Sequence, residues 1–123
     1  MLYAGGDTAT TGGAGTNEFA FNAPGTNNAI KDFAASASNQ TAFSNAGFSL
    51  GLPGASATPK ALPADLFTSN ASGAFTAATE RFADDTKNGD LYYSASGTTG
   101  TEHLVTTLTG HPTIAASHLF FIT

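Results

Sequence analysis

The amino-acid sequence predicts an all-β fold, a β-roll or β-sandwich-like single domain with glycine-rich turns. Three observations carry this. Asn88-Gly89 lies between two extended runs, the strongest short-range signal for a β-hairpin. In the run from His103 to Thr109, Leu104, Thr106 and Leu108 alternate with Val105 and Thr107 at the period of a strand. No segment sustains the helical spacing of apolar residues. A length of 123 residues suits one domain around one core.

Taken in order, residues 1–21 form a degenerate glycine-rich repeat region. Gly12 to Ala20 fits the nonapeptide G-G-x-G-x-D-x-U-x of parallel β-rolls. Gly12, Gly13 and Gly15 take the turn positions, Asn17 replaces the acid and Phe19 is the core residue. A truncated copy starts at Gly5-Gly6-Asp7. The other reading is an ordinary glycine loop leading into a strand. Residues 51–65 carry Pro53, Pro59 and Pro63 among small residues and read as an irregular connection, anchored through Leu62, Leu66 and Phe67. Ala74 to Phe82 suits either a helical turn or a strand. From Arg81 the signals sharpen: a hairpin over Lys87-Asn88-Gly89-Asp90, a return strand at Leu91-Tyr92-Tyr93 and a loop from Gly97 to Gly100. The alternating strand follows. Gly110-His111-Pro112 breaks it, and Ile114 to Ile122 supplies a final apolar strand.

Composition narrows the function. Charged residues make up only 11% of the chain, against roughly 25% in an ordinary soluble domain. A polar but weakly charged surface puts little Coulomb repulsion in the way of association. The four basic residues, Lys31, Lys60, Arg81 and Lys87, are scattered in a chain of net charge −5, so no stripe exists to neutralise phosphates and nucleic acid is not an expected partner. No apolar run approaches the roughly 20 residues of a membrane span. Cysteine is absent, which excludes disulfides and thiolate chemistry. The first residues, Met1-Leu2-Tyr3-Ala4-Gly5-Gly6, do not form a secretory signal peptide.

The order of elements after Arg81 resembles the C-terminal domain of RTX-type (hemolysin-type calcium-binding) proteins exported by bacterial type I secretion. The pieces are Arg81-Phe82, an acidic turn with Asn88-Gly89, Leu91-Tyr92-Tyr93, a small-residue loop, "LVTTLTG", "PTIAAS" and a terminal apolar cluster. Upstream, Ile30, Asp32 and Phe33 match an I-x-D-F strand; Phe43, Ser44, Phe48 and Leu50 match the element after it. The resemblance runs from Gly12 to Thr123. It implies a single domain over 1–123, with the hairpin and export-signal-like strands in 81–123. It also implies a secreted, extracellular or cell-surface protein whose partner in export is the type I secretion machinery. The terminus from His118 to Thr123 resembles the uncleaved C-terminal export signal; the plainer reading is a final core strand, and both roles are compatible.

The same resemblance implies calcium, with Asp32, Asp84, Asp85 and Asp90 as candidate ligands. Calcium takes six to eight oxygens, with carboxylates supplying the charge. Ser94 and Ser96 stand where family members carry acids, Asn17 replaces the repeat acid, and Asn39 or a neighbour replaces another. For Asp84, Asp85 and Asp90 the alternative is solubilising turn charge.

Catalytic motifs find no support. Gly47-Phe48-Ser49-Leu50-Gly51 matches the G-x-S-x-G nucleophile elbow, but Leu52-Pro53-Gly54 follows where a helix is needed. His103, His111 and His118 lack the i, i+4 spacing of a helical zinc site. The expected function is therefore non-enzymatic: a self-assembling filament or surface-layer subunit, a homo-oligomer or polymer. Leu2 and Tyr3 at one end, and Leu119, Phe120, Phe121 and Ile122 at the other, are the expected assembly and export segments. The alternative is the calcium-binding export and folding module of a larger RTX enzyme or adhesin.

Overall fold

Along the first part of the chain, successive strands alternate between two sheets, and within each sheet they pair in parallel. A computed structural model describes residues 2–4, 9–10, 18–21, 28–30, 39–56, 58–98, 100, 102–109 and 114–122. The strands are β1 (Leu2–Ala4), β2 (Ala9–Thr10), β3 (Glu18–Phe21), β4 (Asn28–Ile30), β5 (Gln40–Ser44), β6 (Lys60–Ala61), β7 (Phe67–Asn70), β8 (Phe82–Asp85), β9 (Asp90–Tyr93), β10 (His103–Leu108) and β11 (Leu119–Ile122). The first sheet has the order β1-β3-β5-β11-β6 and the second β2-β4-β10-β9-β8-β7. Strands β1, β3, β5 and β11 run parallel, as do β2, β4 and β10, while β9 is antiparallel to both its neighbours. Among the described residues the only helical pieces are 3₁₀ turns at Ala64–Leu66 and Ala116–His118, so the fold is mostly β.

Period-2 patterning explains the core. In register, Phe19, Thr41 and Leu119 form one row and Phe21, Phe43 and Phe121 the next, all facing inward and all buried. The second sheet answers with Ile30, Phe82, Leu91, Tyr93, Val105 and Leu108. Phe43 joins the sheets: its ring lies 4.2 Å from Phe82, 5.3 Å from Phe48 and 5.5 Å from Phe21, centroid to centroid. Offset and edge contacts of this kind add to what burial alone contributes. The Tyr93 hydroxyl donates to the Phe48 carbonyl, so the polar end of this buried ring is satisfied. On the far side of the first sheet, Ala20, Ala42 and Ile122 form a small separate cluster with half-buried Phe120.

Several expectations are corrected. The β10 strand is not a plain alternation, because its register against β9 shifts between Leu104 and Thr106. This bulge puts Val105, Thr106 and Leu108 inside together. The stretch from Ile114 to Ile122 is not one strand. Ile114 is buried, a 3₁₀ turn follows, and the strand proper starts at Leu119. The His118 ring closes that turn by accepting the Ala115 N–H at 2.9 Å. Ala74 to Phe82 is an irregular loop with one hydrogen-bonded turn, Glu80 N–H to the Ala77 carbonyl at 3.1 Å, until β8 begins at Phe82. The irregular 51–65 connection contains the short strand β6, and Phe67 begins β7. Its expected anchors hold: Leu62 is buried, with Leu66 and Phe67 packed against the core.

Candidate functional site

The β8–β9 hairpin gathers the acidic residues, and its geometry decides what they can do. Asp85 and Asp90 pair directly across it, and Thr86 to Gly89 form a four-residue loop. Gly89 sits at φ 81° and its N–H reaches back to the Asp85 carbonyl at 2.8 Å. Only glycine adopts that conformation without strain, which is the physical content of the Asn88-Gly89 signal. Side chains hold the loop as well: Asp85 Oδ1 accepts from Lys87 N–H, and Asn88 Oδ1 from Asp90 N–H.

Neighbouring residues on a strand point to opposite faces. Asp84 is in register with core-facing Leu91, so it points inward and is fully buried. Its Oδ2 accepts the Ser69 hydroxyl at 3.1 Å, while Oδ1 has no hydrogen-bond partner among the described residues. Burial pushes its carboxyl up to about 6; the Ser69 hydrogen bond opposes the shift, and the Asp85 charge adds to it. Asp85 and Asp90 instead lie on the outer face. There Asp90 accepts from Thr107 Oγ1 at 2.7 Å and from the Tyr92 hydroxyl at 3.1 Å. Burial first, then the charge and hydrogen bond of Asp90, push the Tyr92 hydroxyl up to about 12, with Asp85 and Glu102 contributing charge.

Asp84 therefore faces away from Asp85 and Asp90, on the other side of the sheet. Nor are Asp84 and Asp85 solubilising turn charge: both are buried strand residues. Among the described residues no group of three or more His, Asp or Glu side chains is gathered to hold a metal. Asp32, Asn17 and the glycines of the nonapeptide lie outside the described residues.

Ser94 is put to a structural use. Ser94 is fully buried, and its Oγ accepts the Gly97 N–H at 3.1 Å and the Ser96 N–H at 3.3 Å, which helps close the loop. Gly97 is wedged there at φ +68°, where a Cβ would meet the Ala78 and Glu80 carbonyl oxygens at 2.6 and 2.7 Å. Left-handed strain and overpacking act together at this site, so Gly97→Ala is expected to cost about 2–3 kcal/mol in urea unfolding. The opposing loop is held by Glu80, whose carboxylate accepts from Thr76 N–H, Thr76 Oγ1 and Ala77 N–H. The spacing of Thr76 and Glu80 is the one sequence signal that could have pointed to it.

The G-x-S-x-G match lies in the turn after β5. Ser49 is exposed at φ 51° in a turn, and no α-helix follows it among the described residues. His103 is exposed at the start of β10, His118 serves its 3₁₀ turn, and His111 lies outside the described residues.

The expected assembly segments are placed differently from one another. Leu2 and Tyr3 belong to β1, which stands at one end of the first sheet. Leu119, Phe120, Phe121 and Ile122 do not form an edge. They make an interior strand, parallel to β5 on one side and antiparallel to β6 on the other. Their apolar side chains are used up within the molecule, with only Phe120 half exposed. Among the described residues, the open edges that sequence reasoning missed are β2 and β7, the two ends of the second sheet. Compared with protein-family models, with curated proteins and with solved structures, the chain has no match.

Proposed function

We propose that this chain is a non-catalytic, exported structural subunit that assembles with copies of itself by strand addition into an extracellular filament or layer. The observation that carries the reading is the character of the sheet ends. Strands β1, β2 and β7 are end strands free of Lys, Arg, Asp, Glu and Pro. Natural proteins usually guard such edges with those residues, because an unguarded edge is a template for another chain. The β6 edge shows the guarding by contrast: it carries Lys60 and lies between Pro59 and Pro63. The low charged fraction, 11%, favours the same reading.

The alternation of parallel strands between two sheets supports the β-roll form of this fold and, with it, the RTX-type resemblance and export by type I secretion. In this reading calcium is not the trigger at the hairpin, where Asp84 and Asp85 diverge and Ser94 helps close its own loop. Light scattering over a concentration series is expected to show growth beyond the monomer with or without calcium. A protein that stays monomeric at millimolar concentration in both conditions contradicts the reading.

A further inference from the structure

We propose that copies join head to tail, the β7 edge of one molecule receiving the β2 edge of the next, so that the second sheet continues from subunit to subunit. The inference rests on the assembly reading above and specifies its interface.

Direction comes first. In the second sheet β2, β4 and β10 run one way, β9 runs against them, and β8 with β7 runs with them again. The two end strands β2 and β7 thus point the same way. Shifting a copy along the sheet, across its strands, lays β7 of one copy parallel to β2 of the next. That repeats the parallel pairings already present at each end, β2 with β4 and β7 with β8. Because β2 and β7 are the opposite ends of the second sheet, the contact joins two different surfaces and leaves one of each unused. A heterologous contact related by such a shift does not close on itself, so it builds a filament.

The hydrogen-bonding groups of β7 fit this role. The Leu66 and Asn70 carbonyls face β8, accepting from Arg81 N–H at 2.8 Å and Thr86 N–H at 2.9 Å. Alternate residues of a strand turn their main-chain groups to opposite sides. Ser69, between Thr68 and Asn70, therefore turns its N–H and C=O to the open edge. Ser69 is exposed although its register partner Asp84 is fully buried, which shows how open this margin of the sheet is. The strand itself, Phe-Thr-Ser-Asn, is uncharged, so no like-charge contact opposes a neutral Ala-Thr edge.

Two experiments test it. Ser69→Pro removes the outward N–H together with the hydroxyl that Asp84 accepts; Ser69→Ala, which loses only the hydroxyl, is its control, and circular dichroism checks that both fold. Relative to that control, Ser69→Pro is expected to raise the critical concentration for assembly about tenfold or more, as loss of about 1.4 kcal/mol at the contact would. In a chain without cysteine, Ala9→Cys and Thr68→Cys molecules are then mixed and oxidised. Disulfides between the two variants are expected to dominate. If wild-type protein assembles but Thr68→Cys pairs mainly with itself, or folded Ser69→Pro assembles as well as Ser69→Ala, the head-to-tail contact is overturned and the assembly reading stands. If the wild-type protein never assembles, both fall.

Discussion

Phe43→Ala is expected to lower stability by about 3–5 kcal/mol, the range for removing a fully buried phenylalanine. Phe43 is fully buried and its ring contacts Phe21, Phe48 and Phe82, so it carries contacts within the first sheet and across to the second. The surrounding rings belong to three separate elements, β3, the turn after β5, and β8, and cannot all collapse into one cavity. For a chain of this length total stability is about 6–18 kcal/mol, so the variant loses a large share of it. Urea unfolding should show the midpoint falling with the slope unchanged. Phe120→Ala, at a half-exposed ring on the other face, should cost much less. Equal losses for the two would mean that the core does not lie between the sheets.

Asp84→Asn is expected to remove a pH dependence rather than a contact. The folded-state value of Asp84 is about 6 against an ordinary 3.8. The folded protein thus holds this proton more tightly than the unfolded chain, and between those values it binds more protons. Stability therefore falls as pH rises from about 4 to about 6 and levels off above. At 1.36 kcal/mol per pH unit the loss is on the order of 3 kcal/mol. Asparagine keeps the shape and can still accept the Ser69 hydroxyl, but it has no charge to bury. Its unfolding free energy should therefore lack this fall across pH 4 to 6.5, so the wild-type profile converges on or crosses it toward low pH. Parallel profiles for the two proteins would show that Asp84 is not ionising in the core.

How legible this was in the sequence differs from element to element. The hairpin, the return strand Leu91-Tyr92-Tyr93 and β10 were legible because their signals are local: a turn that needs glycine, and alternation over a few residues. The parallel pairing of β1, β3 and β5 was not, since its partners lie many residues apart and only the turn glycines hint at it. Asp84 and Asp85 misled because acids next to an Asn-Gly turn look like turn charge; the strand runs on to Asp85 and turns Asp84 inward. The terminal Leu-Phe-Phe-Ile run reads equally as an edge or as an interior strand, since its apolar character does not reveal how many neighbours it has. The β7 edge was invisible because a four-residue uncharged strand after a proline-rich connection gives no periodicity to detect.

Self-assembly by sheet continuation is the central claim, and it fixes the orientation of strands in the product. Cryo-electron microscopy of the assembled protein, with fibre diffraction on aligned material, reads that orientation directly. The account predicts filaments with strands across the axis, an axial spacing of about 4.8 Å and a subunit rise of about 29 Å, six strand spacings in the second sheet. Strands running along the filament axis, or a protein that remains monomeric under all conditions, would contradict it.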